Sequence, residues 1–219
     1  MIFRKSLLRQ AVLFSSLLVA PRFNAATFYV APGGSDSNPG TQAQPLASLQ
    51  RGLNTVAAGD TIILSAGDYY GTNYSRVNGS PNNVITIQGQ PGAWLRCTNG
   101  VGGGGDNNLK MTAGLTISNS WYVVRGLNFY SNYLSLSGLS ASHNLLESNW
   151  LERTRAITFE GAPNPLTNGP SFNTIRYNVF TNMVYCIAAM GVSGFNNNID
   201  TNIWWTSNDN DAINRRRFI

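Results

Sequence analysis

The sequence predicts an all-β chain wound into a parallel β-helix, with one α-helix capping its amino-terminal end. Two observations carry that prediction. A short pattern recurs with asparagine at matched places: Asn144, Leu146, Asn149, Leu151; then Asn173, Ile175, Asn178, Phe180; then Asn197, Ile199, Asn202, Trp204. The offsets in every line are two, three and two, and a fourth line, Tyr122, Val124, Leu127, Phe129, keeps them with apolar residues in both asparagine places. The last positions, 129, 151, 180 and 204, step by 22, 29 and 24 residues, a solenoid period with loops of variable length. The second observation is composition: charged residues make up only 11% while Gly alone numbers 22, which suits strands and tight turns and excludes a helical bundle.

The two-residue offsets put alternate side chains on one face of an extended strand. The three-residue offset between them is the bend. Asparagine suits a bend because it tolerates left-handed backbone angles and its amide bonds neighbouring backbone groups. Stacked one above another at the strand spacing, such amides also bond along the stack, as in cross-β ladders. Asn149, Asn178 and Asn202 are therefore expected to form an internal ladder.

The amino terminus reads as an export signal over residues 1–26, leaving a β-helix domain over 27–219. Arg4, Lys5 and Arg9 form a basic leader, residues 11–20 an apolar stretch, and Asn24, Ala25 and Ala26 a small-residue cleavage region. The apolar stretch is shorter than the roughly 20 residues a membrane-spanning helix needs, so the mature chain is expected to be secreted, with no membrane span. Fifteen Lys and Arg against ten Asp and Glu give a formal charge of +5. Losing Arg4, Lys5, Arg9 and Arg22 leaves eleven against ten, or +1, which removes any charge argument for nucleic acid. Arg215, Arg216 and Arg217 form a basic tail of the solvated kind. Cys97 and Cys186 can pair in an oxidising compartment or sit as two buried thiols. With one histidine, His143, no zinc site of His and Cys is expected; His143 reads as a turn residue.

In order, Thr27–Val30 is a first strand, and the Gly, Pro, Asp and Asn cluster over 32–41 is a loop. Leu46, Leu49, Leu53 and Val56 fall at helical spacing with Gly59 as a stop. This is the helix expected to close the exposed end of the core. Strands follow at 60–64 and 84–88, with a turn carrying two tyrosines at 67–71. The glycine-rich stretch over 97–108 lacks the Lys-Ser/Thr signal of a phosphate cradle and is expected to be a loop.

Phe28 to Thr41, then Pro45 to Gln50, Ala58 to Ile62 and Ser120 to Leu127 together resemble the cap and coils of secreted right-handed parallel β-helix proteins of the pectate-lyase-like superfamily. The resemblance runs over nearly the whole mature chain and is specific for fold. The superfamily holds lyases, hydrolases, epimerases and proteins of no assigned reaction.

Cleavage of a polyuronate by β-elimination needs a base for the proton alpha to the carboxylate and a positive charge for the anion that results; Lys or Arg and calcium can supply them. Residues 208–214 are similar to a calcium-binding segment of one pectate lyase family. Asp211 matches its second Asp, Asn210 stands for the first, Ala212 for a Gly and Asn214 for the last Asp. Asp209, Asn210, Asp211 and Asn214 are the candidate Ca2+ ligands, or ordinary turn residues. Arg125, Glu147, Arg176 and Asp200 are expected in one outward row, either a surface ion-pair ladder or, through Arg125, Arg176 and Asp200, a contact for substrate. The neighbouring column Tyr130, Glu152, Thr181 and Trp205 offers two aromatics for stacking on sugar rings. Lys110, the one lysine after the leader, and Arg176 are weak candidates for the base.

The function expected is that of a secreted carbohydrate-active β-helix, most like a calcium-dependent pectate or uronate lyase. Its partner would be an acidic polysaccharide and its state monomeric. The alternatives are a non-catalytic extracellular module that binds glycan or protein, and a glycoside hydrolase using Asp200 and Asp211. The repeat breaks after Asn214 in mid-coil with no carboxyl-terminal cap, which reads as a fragment of a longer protein or as a shortened relative.

Overall fold

The computed structural model describes residues 25–97, 114–153, 157–160, 169–182, 187–190 and 196–205. Three parallel sheets run side by side along one axis. The first holds β1 (Thr27–Val30), β2 (Thr61–Leu64), β5 (Ile85–Gly89), β8 (Tyr122–Arg125), β11 (Leu145–Glu147), β14 (Thr174–Arg176) and β17 (Asn198–Asp200). The second holds β3 (Gly67–Tyr70), β6 (Ala93–Arg96), β9 (Asn128–Tyr130), β12 (Trp150–Glu152), β15 (Val179–Thr181) and β18 (Ile203–Trp205). The third holds β4 (Thr72–Tyr74), β7 (Gly114–Ile117), β10 (Tyr133–Ser137), β13 (Ile157–Glu160) and β16 (Ile187–Met190). Each strand pairs in parallel with its counterpart one coil away, for example Leu146 with Ile175 and Ile175 with Ile199. Parallel neighbours need crossovers, and these take the right-handed sense. The fold is a right-handed parallel β-helix.

The core follows from alternation. Val124, Leu146 and Ile175 of the first sheet, Phe129, Leu151 and Phe180 of the second, and Leu134, Leu136 and Ile157 of the third are all buried, facing one axis because every second side chain of a strand points the same way. Phe180 and Trp204 stack at 4.5 Å, carrying the aromatic column on into the next coil.

Corners interrupt the backbone ladder, and asparagine repairs it there. In one stack the Asn149 N–H donates to Asn178 Oδ1 at 3.0 Å and the Asn178 N–H to Asn202 Oδ1 at 3.0 Å. Their amide nitrogens reach back to the carbonyls of Val124, Leu146 and Ile175. A second stack, Asn144, Asn173 and Asn197, repeats the arrangement at the corner where each coil enters the first sheet. Both stacks begin on an apolar residue: the Tyr122 and Leu127 N–H groups donate to Asn144 and Asn149. A buried N–H without a partner is costly, so each amide both satisfies and positions the chain below it.

The left-handed backbone falls one residue before the asparagines. His143 (φ 57°), Ser148 (φ 55°), Phe172 (φ 57°), Tyr177 (φ 55°), Asn196 (φ 57°) and Thr201 (φ 48°) make the bend. The ladder asparagines thus serve through their amides, not through left-handed angles as their residue type suggests.

Three further expectations change. Residues 67–71 are mostly strand, because Tyr69 turns inward and its hydroxyl lies 2.9 Å from the Val30 and Ser65 carbonyls; the bend is Gly71 (φ 95°). The helix α1 (Leu49–Thr55) starts after Leu46, which pairs with Val30 as a bridge. The helix begins with Ser48 Oγ accepting the Arg51 N–H. It buries Leu49 and Leu53 and packs on β1, β2 and β4, so it caps the stack as expected. The third sheet is the largest addition, since asparagine does not recur along it: β4 holds Asn73, but Leu115 and Leu134 stand in its place in the strands stacked on it. No helix among the described residues is long and apolar enough to cross a membrane.

Candidate functional site

The first sheet turns two rows of side chains outward. The register places Gln88, Arg125, Glu147, Arg176 and Asp200 one above another, as the repeat requires. Charge alternation does not make them a continuous ladder. Arg176 donates to Glu147 Oε2 through Nε at 3.0 Å and Nη2 at 2.9 Å. Arg125 turns away from Glu147, donating through Nε at 3.2 Å and Nη2 at 2.9 Å to Gln88 Oε1. Asp200 has no ion pair among the described residues. Each guanidinium is therefore gripped by the coil on its amino-terminal side.

Left-handed corners border this face. On one side Trp121 (φ 63°), His143 and Phe172 directly precede Tyr122, Asn144 and Asn173 of the second stack, and their rings lie one above another. The Trp121 and His143 rings stack at 4.4 Å and 3°, and the His143 and Phe172 rings at 5.1 Å and 5°. On the other side Tyr177 is exposed, with the Arg176 guanidinium 5.4 Å from its ring centroid. Trp121, His143, Asn144, Leu145, Phe172, Thr174 and Arg176 line an open depression of about 290 Å³. An aromatic stack beside a fixed guanidinium offers apolar surface to a sugar ring and N–H donors to an acidic group. The aromatic wall was available to sequence reasoning, one position before Tyr122, Asn144 and Asn173.

The second sheet brings Tyr130, Glu152, Thr181 and Trp205 into register, again as expected. Tyr130 is already engaged: the Arg96 and Arg153 guanidinium carbons lie 5.2 Å and 5.8 Å from its ring centroid, and Arg153 Nη1 donates to its hydroxyl at 3.1 Å. Arg96 also sits over Trp94 and pairs with Asp68 at 2.6 Å. The ring is thus less available for a sugar than its outward position implies.

Lys110, Asp209, Asn210, Asp211 and Asn214 lie outside the described residues, as do residues 1–24 of the leader, Cys186, the basic tail and the side chain of Trp205. Cys97 is half-buried at the end of β6. Among the described residues, no three His, Cys, Asp or Glu side chains gather where a metal ion could sit.

Comparison with known proteins agrees with the three-sheet geometry. The family described as Pel9A-like, right handed beta helix region matches residues 28–183. The chain belongs to that family. Among curated proteins, this Pel9A-like chain is 25% identical over 113 residues to the uncharacterized protein YwoF of Bacillus subtilis (strain 168), a match covering 51% of the chain and 21% of YwoF. The GH136 lacto-N-biosidase of Eubacterium ramulus superposes with a TM-score of 0.59 at 14% identity, over 81% of this chain and 41% of that one. XylC in complex with xylose gives 0.56 at 11% identity, over 79% and 54%. At these identities the likeness is one of fold. The Pel9A-like chain spans about a fifth of YwoF and less than two thirds of either solved structure.

Proposed function

We propose that the chain is a secreted, carbohydrate-active β-helix that binds a uronate-bearing polysaccharide on the outer face of the first sheet, and that its reaction is calcium-dependent β-elimination. The observation that carries the binding half is Arg176. Glu147 takes its Nε and Nη2, which leaves Nη1 for a carboxylate at the edge of the aromatic depression. A pre-oriented guanidinium loses less freedom on binding than a free one.

The catalytic half rests on resemblance. Calcium, held by Asp209, Asn210, Asp211 and Asn214, would stabilise the anion formed as the proton alpha to the carboxylate leaves. What the described residues do is bind and orient. Arg176 takes the carboxylate, Thr174 and Glu147 face the sugar hydroxyls, and Phe172 and Trp121 bound the ring's apolar side.

The test incubates the protein with polygalacturonate or alginate and calcium and follows the absorbance of the unsaturated product, with binding measured separately. Product that disappears with a chelator is expected. Arg176→Ala is expected to raise KM about tenfold with a smaller change in kcat, the loss of one charge-assisted contact. Binding without product on every uronate polymer tried leaves a non-catalytic glycan-binding module. No binding at all removes the polysaccharide reading.

A further inference from the structure

The charge order of the outward row carries an inference about the ligand's repeat. Arg125 and Arg176 belong to coils two apart, with Glu147 between them in register and Asp200 beyond. Both arginines are held alike: Nε and Nη2 bond one oxygen of the side chain on the amino-terminal side, Gln88 for Arg125 and Glu147 for Arg176. Identical holding leaves identical groups free, so the two Nη1 donors repeat at two strand spacings, about 9.6 Å. Between and beyond them the row presents carboxylates. Asp200 is exposed and without an ion pair among the described residues.

We infer that this row recognises a polysaccharide carrying a carboxylate on every second sugar, laid along the helix axis. A pyranose ring in an extended chain advances by roughly one strand spacing. A chain of alternating uronate and neutral sugars therefore sets its carboxylates on Arg125 and Arg176, while its neutral sugars offer hydroxyls to Glu147 and Asp200. A chain with a uronate at each sugar sets like charges against Glu147 and Asp200, which is unfavourable at such range. Specificity comes here from the repulsive positions as much as from the attractive ones. This rests on the proposed binding face and adds the spacing.

The experiment compares binding of length-matched hyaluronan and unsulfated chondroitin, both alternating, with polygalacturonate at one fixed ionic strength. The alternating chains are expected to bind about tenfold more tightly. Asp200→Asn, a change at an exposed side chain, is expected to strengthen polygalacturonate binding several-fold and leave the alternating chains within twofold. Arg125→Ala and Arg176→Ala are each expected to weaken the alternating chains about tenfold. Equal binding of both chain types, or a preference that Asp200→Asn does not narrow, overturns the spacing inference. If Arg176→Ala then still weakens every acidic chain alike, the proposed binding face stands without it. If no acidic chain responds to Arg176→Ala, the binding face itself falls.

Discussion

Asn178 shows what one side chain does in this molecule. Its Oδ1 accepts from both the N–H and the amide of Asn149, and its own amide donates to the Leu146 carbonyl and to Asn202. Because it is fully buried, Asn178→Ala leaves the Asn149 N–H and one Asn149 amide hydrogen without the oxygen they share and without water. Two orphaned groups at about 1–3 kcal/mol each predict a loss of roughly 2–6 kcal/mol in denaturant unfolding, against less than about 0.5 for Asn198→Ser on the exposed side of β17. Two buried tyrosines set the alkaline behaviour. Burial pushes Tyr69 and Tyr122 up to about 12, against the lowering effect of their bonds to the Ser65 and Val77 carbonyls. A raised folded value means the stabilisation is complete below the unfolded value near 10 and is lost as pH rises towards 12. Unfolding free energy measured from pH 8 to 12 is expected to stay level to about 10 and then fall by an amount of order 2 kcal/mol per tyrosine. Tyr122→Phe is expected to flatten part of that fall.

Among the elements, the capping helix depends most on contacts outside itself. At seven residues it is too short to stand alone. Asp36, eleven residues before Ala47, accepts the Ala47 and Ser48 N–H groups at 3.0 and 2.9 Å and the Ser48 hydroxyl at 2.6 Å. Partial burial works to raise the Asp36 carboxyl, but those three bonds and the Arg51 charge outweigh it and hold the carboxyl below its ordinary value. A lowered folded value gives stability that is present above the unfolded value near 4 and lost as pH falls below it. Ser48→Ala removes the cap and one Asp36 bond and is expected to cost about 1 kcal/mol at neutral pH. Asp36→Asn is expected to flatten the decline of thermal stability below about pH 4. Gly34 completes the lock: an added Cβ would lie 2.3 Å from the Leu46 carbonyl oxygen, so the loop closes on Leu46 only with glycine there.

For the molecule as a whole, the stacking register decides which residues share a face. The repeat offsets alone locate the first and second sheets, both asparagine stacks and the outward row from Arg125 to Asp200, because a period-2 pattern fixes inside and outside and a constant offset fixes register. Tyr69 and the third sheet escape that reasoning. Leu134 and Leu136 alternate, but no polar marker recurs with them, and short apolar runs are ambiguous without one. The left-handed angles at Phe172 and Tyr177 escape it too, since these are residue types that rarely adopt them, and packing of the coils forces them there. What residue order settles is therefore the period and the burial of each side chain, properties of a strand and its neighbours along the chain. Whether Arg176 meets Glu147 or Asp200, whether Arg125 meets either, and whether Trp121, His143 and Phe172 stack into one wall are set by coils 22 to 29 residues apart meeting in space. Rotamers chosen at those contacts follow from packing that no stretch of chain contains alone.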